Sequence, residues 1–429
     1  MRLPDLRRIW RNVGLRMQPT NLTRTQRQNF LYTQADALGV GLVMAMHPFL
    51  PVFMARLGAT NQQVGLLTAI PGFSGLALGL LMARFLETRT SIVPWYTGVR
   101  FVRLIGYGLI GVASLLIRSE QVIPLLLVLW FLLSIPAALL SVTYSVLMNA
   151  IAGPKGRFAL LSRRWSTIGV TGAVMTVVAG QILDRLPFPL NYQLAFVGFA
   201  AVGASISFSA SRRIKITDAP ARPPRPLEAP LAERLKAYVG RILGERRFVA
   251  IVVKRSVYIF GSNLVTPLFA LYYVRVLEAT DAQISVIATV QKAILLVGYF
   301  VWTRLRDVRG SRFVLLSTTL AMSLYPALTA GTRRVAWMVV LVGVGAVFQA
   351  GLNLVFFDEL MKTVPTEHAP TFVAVSKSLE HLLAIVGPIL STSLTGFIGL
   401  SGALLLGAAV RFCGFGLFLF GGKGKGQAA

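Results

Sequence analysis

Long apolar runs separated by short polar turns dominate the chain from residue 30 onward. The first covers residues 30–53 and is followed by Arg56 and the turn Gly58-Ala59-Thr60-Asn61. The second covers 64–83, before Arg84, Glu87 and Arg89. The third, 92–117, carries Arg100 and Arg103 in its first half. After Arg118-Ser119-Glu120-Gln121 a fourth run ends near Asn149, and 165–183 and 192–210 are the fifth and sixth. At about 1.5 Å per residue each is long enough to cross a bilayer's hydrocarbon core as a helix. Residues 211–247 break the pattern. They are rich in Pro and charge, which predicts an extended linker, with a surface helix over 231–243. Six more runs follow: 248–274, 284–302, 313–328, 335–360, 372–394 and 400–420. Only Thr395-Gly396-Phe397-Ile398-Gly399 parts the last two, so length more than polarity forces a turn there.

This pattern predicts an all-α membrane protein of twelve transmembrane helices. Its parts are a basic tail (1–28), a six-helix bundle (29–210), a linker (211–247), a second six-helix bundle (248–421) and a short tail (422–429). Composition agrees: 55% of residues are hydrophobic, 14% are charged and the mean hydropathy is +0.67, whereas soluble domains are nearer a quarter charged. The net charge of +27 raises a nucleic-acid partner as a question. Distribution argues against one, because Lys and Arg sit in short clusters between apolar runs with no separate basic domain.

Those clusters set an orientation. One set of connections holds only Arg56, Arg118, Arg185, Arg275, Arg333 and Arg334. The other holds most of the rest, including Lys155, Arg157, Arg163, Arg164, Arg212 and Arg213. The positive-inside bias then puts both termini in the cytoplasm, the chain being multi-pass in an inner or plasma membrane. The basic N-terminal tail lacks the core of a signal peptide. It reads either as an interfacial helix on anionic lipid or as a disordered tail. Asn21-Leu22-Thr23 matches a glycosylation sequon that a cytoplasmic tail leaves unused. A single cysteine, Cys413, excludes an intrachain disulfide. His47, His368 and His381 lack metal-motif spacing, and no nucleotide or cofactor motif is present.

The halves repeat one another. Ala59-Thr60-Asn61-Gln62-Gln63-Val64 reads against Ala279-Thr280-Asp281-Ala282-Gln283-Ile284, and the segment from Arg84 to Ser91 reads against that from Arg304 to Ser311. With a one-residue gap Pro48 falls on Pro267, and Phe158 with Ser162-Arg163 matches Phe372 with Ser376-Lys377. Two repeats of the same orientation suggest an alternating-access transporter. On this evidence the chain resembles the major facilitator superfamily over nearly its whole length. That family marks the loop after its second helix, and the equivalent loop of its second half, with Gly-x3-Asp-Arg-x-Gly-Arg-Arg. Asp307, Gly310 and Arg312 fit the second-half copy, while the first-half copy has Glu87 for the Asp and Thr90 for the Gly. The resemblance implies a cytoplasmic charge latch at Arg84, Glu87, Arg304, Asp307, Gly310 and Arg312; plain topology-setting charge is the other reading. The Arg of the fourth span and the Gly-Pro of the fifth that mark drug–proton antiporters are missing, as is the Glu-rich first helix of peptide symporters, so the subfamily stays open.

A charge inside a span costs about 2.5–3.5 kcal/mol on insertion scales and needs a reason. Lys292 lies mid-way along the eighth span, where a water-filled cavity, a bound anion or a carboxylate partner would each stabilise it. Asp36, Val40, Val43 and His47 share one stripe of the first span, which the repeat maps onto Arg255, Ile259, Ser262 and Thr266 of the seventh. Asp36 and Arg255 would then face each other as a cytoplasmic gate pair, Asp36 doubling as a proton site. Alternatively Arg255 snorkels to lipid phosphate and Asp36 caps a helix start. Tyr258, Asn263, Gln349 and Asn353 lie at mid-depth, and the resemblance, in which the first, fourth, seventh and tenth helices line the cavity, makes them substrate-contact candidates; interhelical glue is the bland alternative. Lys377, Glu380 and His381 open the eleventh span as an ion-pair cluster or a proton relay. Arg411 sits mid-span in the twelfth, where it reaches a carboxylate or thins the bilayer.

The expected function is secondary active transport of a small solute, with no catalytic residue, by a monomer driven by a proton or solute gradient. The cation at mid-depth favours an anionic substrate. A sensor or scaffold on the same fold, and less readily a lipid-modifying enzyme, are the rival classes.

Overall fold

The computed structural model describes residues 23–87, 89, 91–117, 119–216, 244–364 and 369–420. The N-terminal segment with Asn21, the predicted 231–243 helix and most of its linker, His368, and the 422–429 tail lie outside the described residues. Among the described residues there is no strand, and there are ten helices: α1 (Arg24–Met44), α2 (Phe49–Arg56), α3 (Asn61–Glu87), α4 (Val93–Leu116), α5 (Ser119–Arg185), α6 (Leu190–Ser211), α7 (Arg246–Arg275), α8 (Asp281–Gly331), α9 (Val335–Thr363) and α10 (Ala369–Phe420). The first span is α1 plus α2, broken over residues 45–48, where Pro48 stands as the N-cap of α2. That break leaves His47 outside regular helix.

Three of the helices hold two spans each. In α8 the reversal is at Gly310 (φ 79°, ψ 163°), a backbone region open essentially to glycine alone. In α10 it is at Gly399 (φ 69°, ψ 174°), so the chain stays helical through most of the expected five-residue turn. In α5 the Arg164 guanidinium lies 5.4 Å from the Tyr144 ring centroid. A straight helix would hold residues that far apart in sequence about 30 Å apart. The fourth and fifth spans therefore double back on each other.

The repeated sextets have a local cause. Thr60 accepts from the backbone of Gln63 at 3.2 Å, while Gln63 accepts from the backbone of Thr60 at 2.8 Å. Thr280 and Gln283 make the same reciprocal box at 3.3 and 3.0 Å. Each satisfies donors that the first turn of a helix leaves free, so the Thr-x-x-Gln pair starts α3 and α8 alike.

α1 and α6 pack with α4 and α5, and α2 packs on α3 with Phe53 stacked on Tyr192 of α6; α7 packs with α10, and α8 with α9. Between these halves α3 meets α10, α5 meets α8, and α2 meets α7. Large apolar side chains such as Leu116, Phe300, Trp337 and Phe397 point outward, which lipid accepts and water penalises. The cores are distributed unevenly. At the end bearing the loops before α3 and α8 (here the first-loop end), one cluster runs through both halves and includes Phe53, Val64, Leu268, Leu271 and Ile284. At the opposite, terminal end each half keeps its own: Phe30, Tyr96 and Leu147 in one, Phe248, Leu360 and Phe372 in the other. Apolar burial seals the halves together at one end only.

Candidate functional site

The seal at the first-loop end is a reciprocal clasp built by the repeat. Arg56, closing α2, donates to the Ala279 carbonyl at 2.8 Å and pairs with Asp281 at 2.9 Å. Arg275, closing α7, donates to the Ala59 carbonyl and to Asn61. Ala59 and Asn61 are the repeat equivalents of Ala279 and Asp281, so each half grips the same loop of the other. Tyr192 adds a bond to Asp281 at 2.6 Å, and Asn61 donates to Thr395 at 2.7 Å. The sequence presents Arg56 and Arg275 only as sparse loop charges; their common place in the repeat was the signal for the clasp. Replacing both with alanine is expected to raise the alkylation rate of a cysteine placed at Leu268, beneath the clasp, by about fivefold or more. That corresponds to about 1 kcal/mol in the open–closed balance. An unchanged rate would show that the apolar core alone holds this end.

Below the clasp is a cavity of about 270 Å³ between α2, α3, α5 and α7, with His47 at the break of the first span on one side and Thr266 on the other. Both side chains are exposed although they lie well inside the spans, so they face open space rather than packed neighbours. Nδ1 of His47 is 2.9 Å from the Tyr107 hydroxyl, and its ring lies 6.3 Å from that of Trp130. Thr266 donates to Ser262 of its own helix at 2.9 Å, and Ser262 donates to Tyr258 at 3.2 Å. The repeat thus brings His47 and Thr266 to one cavity. Lys292 reaches across from α8 and donates to Thr176 of α5 at 3.0 Å.

Asp36 and Arg255 do not meet. Asp36 is fully buried inside its own half, where it accepts from Arg164 at 2.7 Å, Tyr96 at 2.7 Å and Ser207. Arg100 completes the group, 4.0 Å from Asp36 and 2.9 Å from the Tyr96 hydroxyl. Arg255 instead pairs with Glu380 at 2.6 Å and donates to Ser376 at 3.1 Å. The expected gate pair becomes two separate pairs, one per half. Each joins the first helix of a repeat to its fifth, with the signs of the charges exchanged. The reason is distance across the split terminal end: a carboxylate there is stabilised by the nearest cation in its own bundle. Arg164 was legible only as a topology charge, though the match of Ser162-Arg163 to Ser376-Lys377 marks the same corner of both halves.

The remaining candidates divide. Tyr258 is buried in the core of the second half and donates to the Thr319 carbonyl at 2.9 Å, away from the cavity. Asn263 packs against Gly387 of the eleventh span. Gln349 donates to Asn353 at 2.7 Å, and Asn353 donates to Tyr299 at 3.1 Å. Lys377 holds Glu380 at 2.7 Å, and the His381 ring lodges against Gly75 of α3. Arg411 reaches no carboxylate among the described residues; it donates to the Met322 carbonyl at 2.7 Å and lies 6.0 Å from the Tyr258 ring centroid.

At the α8 reversal Gly310 makes the turn, but among the described residues the ion pairs avoid Arg304 and Asp307, both of which are exposed. Arg306 and Lys362 hold Asp358 at 2.9 and 2.8 Å, and Ser311 donates to it at 3.0 Å. This cluster ties the loop to α9 within one half. Arg312 interacts with a neighbour as well. The side chains of Arg84 and Glu87 lie outside the described residues.

Solved structures share this architecture. A mutant of the nucleoside transporter NupG superposes with a TM-score of 0.70 at 11% identity, covering 91% of this chain and 99% of that one. A POT family transporter in complex with 5-aminolevulinic acid gives 0.69 at 11% identity, covering 94% and 96%. A bacterial homologue of the human lysosomal transporter Spinster, inward-facing and occupied, gives 0.64 at 14%, covering 93% and 97%. At such identities the likeness is one of fold. No curated protein matches the chain by sequence. The model of the MFS_1 like family matches residues 39–398. With that model matched across most of its length, the chain belongs to the MFS_1-like family, a multi-pass membrane protein that works as a secondary transporter rather than as an enzyme.

Proposed function

We propose that the protein carries a small solute across a cell's inner or plasma membrane by rocking its halves about the cavity between them, with both termini cytoplasmic and as a monomer. The observation that carries this reading is the one-ended seal. A clasp and a shared core close the first-loop end, and every described hydrogen bond between the halves lies from Lys292 toward that end. With the basic loops in the cytoplasm, this is the inward-facing state. A scaffold or sensor would have no need of a solvent-facing His47 and Thr266 under a reversible clasp.

For coupling, Glu380 is better placed than Asp36. Asp36 is 0% exposed and held by four groups, whereas the Glu380 side chain is 22% exposed. The charged and titratable groups around Glu380 are Arg255 from α7 and Lys377 and His381 from its own helix; α3 presents Gly72 and Gly75 there. Protonating Glu380 would release Arg255 and loosen α7 from α10, which is the kind of local charge change that biases a two-state element. In proteoliposomes, uptake from a panel of labelled nucleosides, amino acids and ring carboxylates should rise when a pH gradient is imposed. Glu380→Gln is expected to abolish that pH dependence while leaving solute exchange in place. Exchange lost together with coupling would refute the assignment to Glu380, and absence of any uptake in the wild type would refute transport.

A further inference from the structure

Resting on the transport reading, a more specific conclusion comes from the charge balance around the cavity. Three carboxylates that lie between helices already have a cation: Asp36 has Arg164, Glu380 has Arg255, and Asp281 has Arg56. Lys292 has none. Its described partner is the neutral hydroxyl of Thr176, which itself donates to the carbonyls of Gly172 at 2.6 Å and Ala45 at 3.4 Å. Ala45 is two residues from His47, so Lys292 is moored beside the break in the first span. A second cation approaches from behind: the Arg103 guanidinium lies 4.7 Å from the Trp130 ring centroid, and Trp130 lines the cavity. Among the described residues no carboxylate lines the cavity. Lys292 stands beside the cavity lining rather than in it; an uncompensated ammonium in a low-dielectric interior is costly, and an anion entering the neighbouring cavity would offset part of that cost.

Shape narrows the class. The cavity is small for a ligand site, which typically occupies about 300–1,000 Å³, and its walls are stiff with proline. Pro48, Pro51, Pro71 and Pro267 surround it, with the Trp130 and His47 rings on one side. Thr68 and Thr266 spend their hydroxyl protons on their own helices, so neither is left to donate to a ligand. In the tautomer whose Nδ1 accepts from Tyr107, His47 keeps its Nε2–H for a ligand. The lining therefore leaves His47 as the donor to a solute, with the Lys292 ammonium moored next to it through Thr176; both suit a carboxylate, and the rest of the lining suits one apolar ring. We infer that the transported solute is an aromatic or heteroaromatic carboxylate, its ring between Trp130 and the prolines and its charge toward Lys292.

The test uses the full-length protein in detergent, with thermal stabilisation as readout and benzoate, nicotinate and 2-naphthoate as probes against benzamide and benzylamine. At least one carboxylate is expected to stabilise the protein and the amide and amine are not. Lys292→Gln is expected to weaken that carboxylate by about tenfold, which is about 1.4 kcal/mol, and Lys292→Arg to retain it. Stabilisation by the amide or amine to the same degree, carboxylate binding indifferent to Lys292→Gln, or no binding by any of the three carboxylates would each overturn the inference. Binding that depends on Lys292 without uptake into proteoliposomes would leave this site standing and remove the transport reading. Uptake of only neutral or cationic solutes would do the reverse.

Discussion

Arg164→Ala is expected to cost the folded protein about 3–5 kcal/mol, the range for breaking one side of a buried ion pair. Arg164 is among the largest fully buried side chains in the molecule, at 1% exposure, and its guanidinium holds Asp36 at 2.7 Å and the Thr33 carbonyl at 3.1 Å. Removing it strands a carboxylate that no water reaches. Tyr96 and Ser207 still donate to that carboxylate, and Arg100, 4.0 Å away, offsets only part of the charge. The double variant Asp36→Asn with Arg164→Gln should recover a substantial part of the loss, because neither neutral side chain carries the desolvation penalty of an ion. Thermal unfolding of the purified single and double variants measures this. A single variant that melts with the wild type would show that Asp36 is not charged in the folded protein, and the electrostatic account of this corner would fall with it.

Gly65→Leu is expected to disfavour the sealed state itself rather than the fold. Gly65, Gly72 and Gly75 lie along the face of α3 that meets the eleventh span. A Cβ at Gly65 would sit 2.9 Å from the Pro388 carbonyl and overlap Thr392, while at Gly72 it would sit 2.9 Å from the His381 carbonyl. Such close backbone approach between membrane helices depends on small residues. Overpacking costs about 1–3 kcal/mol, here only in the conformation in which α3 and α10 touch, which corresponds to a shift of about 5–150-fold toward the opposite state. Uptake should fall accordingly while yield and melting temperature change little. Alkylation of a cysteine at Leu268, in a Cys413→Ala background, should become fast. If uptake and accessibility both stayed at wild-type values, α3 and α10 would not be a moving interface.

The two predictions sit at opposite levels of legibility. Gly65 and Thr392 lie in spans that periodicity and length already delimit, and the repeat explains why α3 and the eleventh span stand at the boundary between halves. Asp36 was visible as a costly charge in an apolar run, and the need for a partner followed at once. Its partner did not. Sequence symmetry offered Arg255, because equivalent positions in a repeat share depth, and symmetry carries no information about how far apart the halves stand at that depth. Arg164, Arg100 and Tyr96 reach Asp36 from two other helices of the same bundle, a convergence that no spacing along the chain encodes. The loop latch fared similarly. Gly310 was recognisable through its fit to the family's loop motif, and the structure shows the positive φ that its turn demands, whereas the acceptor for the loop's Arg306, Asp358, comes from the far end of another helix.

By itself the sequence determined that this is a membrane protein of twelve spans in two repeated halves, because the thickness of a bilayer and the period of a helix act on each segment locally. It also placed His47, Thr266 and Lys292 at positions where an apolar residue would be cheaper. Only the tertiary structure decided which charges pair, which end of the molecule is sealed, and that His47 and Thr266 share one cavity with Lys292 close by. Those facts depend on the separation and tilt of whole bundles, set by the summed packing of residues remote from one another in the chain.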